Sequence, residues 1–283
     1  MTNRVPSDKT IDDVRRFWSA CPLFAGESAR AVGTREWFEE HERVYVNDCF
    51  AGQPPAVFTD GLVPGSRLLD VGCGPGFWVR FFARRGFTRV HACDLTDVAV
   101  DLTNRSLGLF GLTATVRVGD AEQLPYGDAS FDHVNCQGVI HHTPAPQQAV
   151  REFARVLSPG GTLCLSVYHR NALLRRPRAL RLFTRVFGGV VGLEGRGRES
   201  LLASADAAEI VRMYDGRDNP IGRAYTGGEL GRLLEGSFVV ERMERFYFPS
   251  RAVPLRIPRA LHRWLSVHFG LMVIVRARKR QTP

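Results

Sequence analysis

Short apolar runs alternate with longer amphipathic segments between residues 67 and 168. Five of these runs predict β-strands, at about 67–72, 89–94, 114–118, 131–136 and 161–168. Strands that alternate with helices favour a parallel sheet with helices on both faces. Two further apolar runs, near 238–247 and 269–276, predict the last strands of the same sheet.

The segments on either side of this alternation predict helical additions. Helical patterns occupy roughly residues 10–20 and 35–50, and aromatic side chains are frequent in both. The arginine-rich stretch after residue 170 interrupts the strand–helix rhythm. We therefore expect four parts, namely an N-terminal helical lid (1–60), a cofactor-binding core (61–169), a helical insertion that forms an acceptor lid (170–224) and the C-terminal part of the core sheet (225–283).

A glycine-rich turn follows the first predicted strand, in the stretch "LLDVGCGPGFW" at residues 68–78. Gly72, Gly74 and Gly76 stand between the strand and a helical pattern that begins near Phe77. Glycine permits positive φ and lets backbone N–H groups come closer to a ligand than any Cβ would allow. Strand, glycine turn and helix in this order are typical of nucleotide binding.

Two carboxylates follow the next two predicted strands. Asp94 ends the second strand, 22 residues after Gly72, where a carboxylate can accept hydrogen bonds from both hydroxyls of a ribose. Asp120 follows the third strand and can accept a hydrogen bond from an adenine amino group, beside the N–H of Ala121. The three features together predict a site for an adenosine-containing cofactor.

These motifs resemble those of a known family. "LLDVGCGPG", "ACD", "GDAEQLPYGDASFD", "GVIHHTP" and "RVLSPGGTL" are similar to the successive motifs of class I S-adenosylmethionine-dependent methyltransferases, and in particular of the ubiquinone-biosynthesis-type small-molecule branch. The resemblance covers about residues 65–168. It implies a doubly wound, seven-stranded, mostly parallel α/β sheet in the order 3-2-1-4-5-7-6, closed by an antiparallel pair, with S-adenosylmethionine as the cofactor.

The resemblance also implies roles for individual residues. Asp70, the three glycines and Gln137 would surround the methionine end of the cofactor, Asp94 would bind the ribose, and Asp120 with Ala121 would bind the adenine. The full set of predicted cofactor-binding residues is Asp70, Gly72, Cys73, Gly74, Gly76, Asp94, Leu95, Asp120, Ala121 and Gln137.

Candidate catalytic residues follow the fourth and fifth predicted strands, at the carboxyl edge where doubly wound folds place their chemistry. His141 or His142 could act as a general base, since an unperturbed imidazole titrates near neutral pH. The alternative is that one caps the following turn and the other packs. Tyr168 and His169 end the fifth strand and are candidates to line the acceptor pocket.

Composition limits the class of protein and of partner. The chain has 283 residues and a formal net charge of +9, carried by 36 arginines and only two lysines. Its six cysteines form no C-x-x-C pair, and no secretory signal opens the chain, so we expect a reduced, cytoplasmic protein. We expect no membrane or nucleic-acid partner and no metal ligand set. An anionic acceptor stays open because of the arginine-rich insertion.

The sequence thus predicts an enzyme that methylates a small molecule, at oxygen or nitrogen rather than carbon. Three alternatives stay open. A nucleic-acid methyltransferase would suit the basic charge, although the fourth strand ends "NCQG" and lacks N-P-P-Y. An NAD-dependent dehydrogenase is disfavoured by Phe77, which occupies the last glycine position of its fingerprint. A protein of this fold could also bind the cofactor and catalyse another step, such as a cyclisation.

Overall fold

The computed structural model describes residues 9–171, 207–250 and 257–281. The α-helices in these ranges are α1 (Ile11–Ala20), α2 (Arg35–Phe50), α3 (Phe77–Ala83), α4 (Asp97–Phe110), α5 (Pro146–Val156), α6 (Ala207–Tyr214), α7 (Gly227–Glu235) and α8 (Arg259–Phe269). The helices predicted at 10–20 and 35–50 correspond closely to α1 and α2.

One sheet contains the strands of the described ranges. They are β1 (Arg67–Val71), β2 (Arg89–Asp94), β3 (Thr115–Val118), β4 (Phe131–Gln137), β5 (Leu157–His169), β6 (Ala224–Tyr225), β7 (Phe238–Phe246) and β8 (Met272–Lys279). The order across the sheet is β3-β2-β1-β4-β5-β8-β7, and the two-residue β6 pairs in parallel with β5 beside this path. Without β6, this is the predicted order 3-2-1-4-5-7-6.

The directions of the strands also agree with the predicted fold. β1 to β5 run parallel to one another, whereas β8 is antiparallel to both β5 and β7. The chain reverses its direction of progress across the sheet between β1 and β4, and doubly wound folds bind ligands outside the carboxyl ends of the strands at such a point. The predicted doubly wound α/β fold is confirmed.

The two N-terminal helices pack against the core. Thr34 caps α2 by accepting a hydrogen bond from the N–H of Trp37. Trp37 and Phe38 are completely buried, and they form one apolar cluster with Phe24 and with Leu102 of α4. This packing places α1 and α2 beside the carboxyl edge of the sheet, and the action of residues 1–60 as a lid stays a prediction.

The predicted insertion at 170–224 lies mostly outside the described residues. Its described end contains α6 and β6, and β6 pairs Ala224 with Tyr168 and Tyr225 with His169. The last residues of this segment therefore belong to the main sheet. The domain boundaries themselves stay predictions.

Helix α8 was not predicted, and its burial pattern explains why. The face turned toward the protein carries His262 and Ser266, whereas Leu261, Trp264 and Val267 are exposed. The residues between 261 and 275 divide between α8 and β8, so the last strand begins at Met272 rather than near 269. No helix within the described ranges is long and apolar enough to cross a bilayer.

Gly76 directly precedes α3 and lies close to helix α4. Its φ is +77°, and an added Cβ would lie 3.0 Å from Oγ1 of Thr103 and 3.1 Å from Oγ of Ser106. Gly86 has a similar φ of +82°, but an added Cβ there would meet no atom within 4 Å. The two glycines thus share the conformational constraint and differ in packing.

We expect Gly76→Ala to destabilise the protein more than Gly86→Ala. Both alanines would adopt the left-handed region at a cost of about 1–2 kcal/mol. Only Gly76→Ala would also crowd α4, which adds about 1–3 kcal/mol. Equilibrium urea unfolding of both variants measures the difference in the free energy of unfolding. Equal losses would show that α4 moves freely and that close packing does not require glycine at position 76.

Candidate functional site

A cavity of about 260 Å³ lies at the carboxyl ends of β1, β2, β4 and β5. Eight of the ten predicted cofactor-binding residues line it, namely Gly72, Cys73, Gly74, Asp94, Leu95, Asp120, Ala121 and Gln137. Three of the four predicted catalytic residues also line it, namely His141, His142 and Tyr168. Asp70, Gly76 and His169 are not among the lining residues.

The glycine turn brings the loop after β1 against the loop after β4. Gly72 has a φ of +72°, and an added Cβ would lie 2.2 Å from Cγ2 of Val139, so another residue there would be strained and would displace the valine side chain. The N–H groups of Gly72 and Cys73 donate to the carbonyl of Cys93, at 2.7 and 3.1 Å. These two N–H groups therefore hold the turn to β2 and do not point to a ligand, contrary to the expectation from the sequence.

Asp94 holds the same turn from the end of β2. Its Oδ2 accepts a hydrogen bond from the N–H of Gly74 at 3.0 Å, and its Oδ1 accepts from the N–H and the hydroxyl of Thr96 at 3.0 and 3.1 Å. Burial raises the pKa of Asp94, while the hydrogen bonds from Gly74 and Thr96 oppose the shift. Asp94 also lines the cavity, next to the loop that carries Leu95 and Thr96.

Asp70 and Gln137 present unsatisfied acceptors behind the glycine turn. Oδ1 of Asp70 accepts a hydrogen bond from Nδ2 of Asn135 at 2.7 Å, and Nε2 of Gln137 donates to Asn135 and to the carbonyl of Cys164. Oδ2 of Asp70 and Oε1 of Gln137 are buried and have no hydrogen-bond partner among the described residues. Burial is the main cause that raises the pKa of Asp70 to about 7.

The loop after β3 closes the other end of the cavity. Asp120 lies there with Oδ1 accepting a hydrogen bond from the N–H of Glu122 at 2.8 Å. Ala121 is buried next to it, and both residues line the cavity. This is the placement that the sequence predicted for the end that binds a base.

Three polar residues, His142, Asp215 and Tyr168, line the same cavity, and Asp215 lies within hydrogen-bonding distance of the other two. Nδ1 of His142 lies 2.6 Å from the carbonyl oxygen of Ile221, and since a carbonyl only accepts, Nδ1 carries a hydrogen. Nε2 of His142 lies 3.1 Å from Oδ2 of Asp215. The hydroxyl of Tyr168 donates to the same carboxylate oxygen at 2.7 Å.

His141 packs beside this group. Its ring centroid lies 4.1 Å from that of His142 and 4.4 Å from that of Tyr168. Burial lowers the pKa of His141 well below its usual value, and the charges of His142 and Arg223 act in the same direction. Its Nδ1 is buried without a hydrogen-bond partner among the described residues, so a neutral imidazole stands in the cavity at neutral pH.

His169 and Gly76 lie apart from the cavity lining for simple geometric reasons. Successive side chains of a strand point to opposite faces, so Tyr168 faces the cavity and His169 does not. Nδ1 of His169 lies 3.4 Å from the carbonyl oxygen of Gly270. Gly76 faces α4. The predicted roles of these two residues in acceptor and cofactor binding are not favoured by their positions.

The sequence did not predict Asp215 as a site residue. It predicted that residues 1–60 form a lid, but not which of their side chains line the cavity. Asp215 directly follows α6 in the predicted insertion and belongs to no recognisable motif. Trp18 and Tyr45, from α1 and α2, line the cavity, and the ring of Trp18 lies 5.3 Å from that of His142. The aromatic character of residues 1–60 was the available signal for these contributions.

Comparison with known proteins agrees with this geometry. Residues 69–165 match the family model described as a methyltransferase domain. A ubiquinone biosynthesis O-methyltransferase of Xanthomonas campestris pv. campestris is 38% identical over 110 residues, which make up 38% of this chain and 46% of that protein. The chain thus spans about half the length of the curated relatives that it matches.

Solved structures share the fold over most of the chain. A SAM-dependent methyltransferase from Methanosarcina mazei is 20% identical, with a TM-score of 0.58 over 81% of this chain and 100% of that one. The [4+2]-cyclase SpnF is 18% identical, with a TM-score of 0.55 over 99% of this chain and 100% of that one. At such identities the likeness shows the fold alone.

The family and the fold imply S-adenosylmethionine as the cofactor of the methyltransferase domain. The residues present fit this group. Oδ2 of Asp70 and Oε1 of Gln137 are buried acceptors that lack donors, and an amino group would supply donors to such atoms. Asp94, Asp120 and Ala121 line the same cavity, and their binding of ribose and adenine stays a prediction.

We expect cofactor binding near pH 7 to release a proton from Asp70. In the free protein its pKa is about 7, so the carboxyl is about half protonated at that pH. A cationic amino group would favour the carboxylate and lower this pKa, so binding at pH 7 releases up to about half a proton. Affinity therefore rises as the pH increases through about 7 and levels off above it. Calorimetry in buffers with different ionisation enthalpies measures the release.

Asp70→Asn is the matched variant for this measurement, because its amide oxygen still accepts the hydrogen bond from Asn135. Binding enthalpy in this variant should no longer depend on the buffer. A wild-type enthalpy that is already independent of the buffer would contradict the role given to Asp70.

Proposed function

We propose that the protein transfers a methyl group from S-adenosylmethionine to an oxygen or nitrogen atom of a small molecule. The observation that carries the proposal is one cavity, which is lined by eight of the ten predicted cofactor-binding residues and by His141, His142, Tyr168 and Asp215. The methyltransferase domain supports transfer, and the curated O-methyltransferase relatives support an oxygen acceptor.

The residues of the chain bind and orient the reactants. When bound, S-adenosylmethionine supplies a methyl group on a positively charged sulfur, which is already an activated leaving group. Asp70 and Gln137 would hold the amino end and Asp94 the ribose, which fixes the direction of the methyl group. Trp18 and Tyr45 line the same cavity and would exclude water from it.

The polar residues His141, His142, Tyr168 and Asp215 line the same cavity and would hold the acceptor. His141 offers a neutral imidazole, and the carboxylate of Asp215 is oriented by Tyr168 and His142. Such a group can orient a hydroxyl or an amine and weaken its bond to hydrogen. The expectation of an anionic acceptor rests on the arginine-rich insertion and stays a prediction. The arginine-rich residues 172–206 lie outside the described ranges.

A non-methylating reaction is the second candidate, because a [4+2]-cyclase has the same fold. Transfer and cyclisation differ in the fate of the cofactor, which is consumed only in transfer. Incubation with S-adenosylmethionine carrying a labelled methyl group and with a panel of phenols, alcohols and amines separates them. Label in a product together with S-adenosylhomocysteine supports transfer, and binding of the cofactor without label in any product favours the second candidate.

We expect Asp94→Ala to weaken S-adenosylmethionine binding at least tenfold. The substitution removes charge-assisted hydrogen bonds that are worth about 1.5–3 kcal/mol each, and it also releases the N–H of Gly74. Asp101→Ala is the matched control, because Asp101 is an exposed carboxylate on α4 outside the cavity. Calorimetry should show near wild-type affinity in the control. Unchanged affinity in Asp94→Ala, or tighter binding of NAD than of S-adenosylmethionine, would contradict the assignment.

We expect His141→Ala and His142→Ala each to lower turnover by about two orders of magnitude while cofactor affinity stays nearly unchanged. His169→Ala should retain wild-type turnover, since that side chain lies at the same sheet edge but outside the cavity lining. Steady-state kinetics with an acceptor from the panel, combined with calorimetry, separates the two effects. Near wild-type turnover in both cavity variants would mean that neither histidine acts on the acceptor.

A further inference from the structure

Three side chains of types that bind metal ions lie close together in the part of the cavity that we propose holds the acceptor. One nitrogen of His141, one nitrogen of His142 and one carboxylate oxygen of Asp215 all lie within 4.8 Å of one another. The two histidines are buried, Asp215 is half-buried, and all three line the cavity. The histidines come from the loop after β4 and the carboxylate from the residue after α6, so only the folded chain assembles the set.

The orientation of His142 is that of a metal-binding histidine. Its Nδ1–H donates to the carbonyl of Ile221 at 2.6 Å, which directs the other nitrogen, Nε2, toward Asp215. Histidines that bind metals generally donate their second ring N–H to a carbonyl or carboxylate, which fixes the tautomer. The carboxylate of Asp215 is hydrogen-bonded in turn by the hydroxyl of Tyr168, at 2.7 Å.

The distances suit a first-row transition ion. Such an ion binds imidazole nitrogens and carboxylate oxygens at about 2.0–2.2 Å, so tetrahedrally arranged ligand atoms lie about 3.3–3.6 Å apart. Nε2 of His142 and Oδ2 of Asp215 are 3.1 Å apart.

His141 supplies an independent second observation. Its side chain is 1% exposed, and its Nδ1 is a buried polar atom with no hydrogen-bond partner among the described residues. A buried imidazole nitrogen without a partner loses its hydration and gains nothing in return. Coordination of an ion is one way to satisfy such an atom.

We propose that His141, His142 and Asp215 bind a divalent transition-metal ion of the zinc or cobalt type. Two imidazoles and one carboxylate form the donor set that such ions favour, and three protein ligands leave a position open toward the cavity. The use of that open position rests on the proposed function. An acceptor hydroxyl bound there would be more acidic, so it would give its proton to water more readily, and the resulting oxyanion would be fixed in place to take the methyl group.

Titration of the tag-free, chelator-treated protein with Co²⁺ alone tests the site, without cofactor or acceptor. We expect saturable binding of one ion per chain, with the visible absorption of a low-symmetry Co²⁺ complex and displacement by Zn²⁺. His141→Ala and Asp215→Asn should each weaken binding at least tenfold. His169→Ala, a histidine at the same edge of the sheet, should bind as the wild type does.

S-adenosylmethionine affinity, measured on the same variants, shows whether each variant is folded. Absence of stoichiometric binding in the wild type would overturn the proposal, and so would equal binding in folded Asp215→Asn and in the wild type. Since the titration involves no transfer, the ion site and the methyl-transfer proposal can fail separately. If the ion binds but its removal leaves transfer unchanged, the site stands and its use in acceptor binding is overturned.

Discussion

The contact between Gly72 and Val139 is the constraint on which the site depends. It joins the loops that follow β1 and β4, the two central strands between which the chain reverses its progress across the sheet. A Cβ at position 72 would lie 2.2 Å from the valine side chain, so any other residue would force that side chain or the loops to move. Because they touch, the turn that holds Asp94 and the loop that carries His141 and His142 line one cavity.

Much of the fold, and most of the residues proposed to bind the cofactor, could be predicted because the patterns that indicate them lie within short stretches of sequence. A strand that ends in a glycine turn, and carboxylates at the ends of β2 and β3, are visible in the sequence, and parallel pairing then brings those strand ends to one edge. The β1–β4 register, which places Asp70 opposite Asn135, is a tertiary result. Burial raises the pKa of Asp70, whereas the hydrogen bond from Asn135 opposes the shift, and no motif reveals either effect.

The acceptor half was less predictable because its members come from separate parts of the chain. Asp215 lies 47 residues after Tyr168, to which it is hydrogen-bonded, and no periodic pattern marks it. The orientations of Tyr168 and His169 were ambiguous until the register of β5 was known, since a shift of one residue exchanges them. Helix α8 escaped prediction because its inner face is polar and its outer face apolar, the reverse of the pattern by which a surface helix is recognised.

The charge distribution shows how a basic protein can favour a cationic cofactor. The chain has a formal net charge of +9, yet the described residues that line the cavity include Asp94, Asp120 and Asp215, with Asp70 buried behind them. Buried carboxylates are costly when nothing compensates their charge, and burial accordingly raises the pKa of both Asp70 and Asp94. A ligand that carries an amino group and a positive sulfur offsets this cost. In the proposed reaction the sulfur becomes a neutral thioether, so the same carboxylates bind the product less strongly and favour its release.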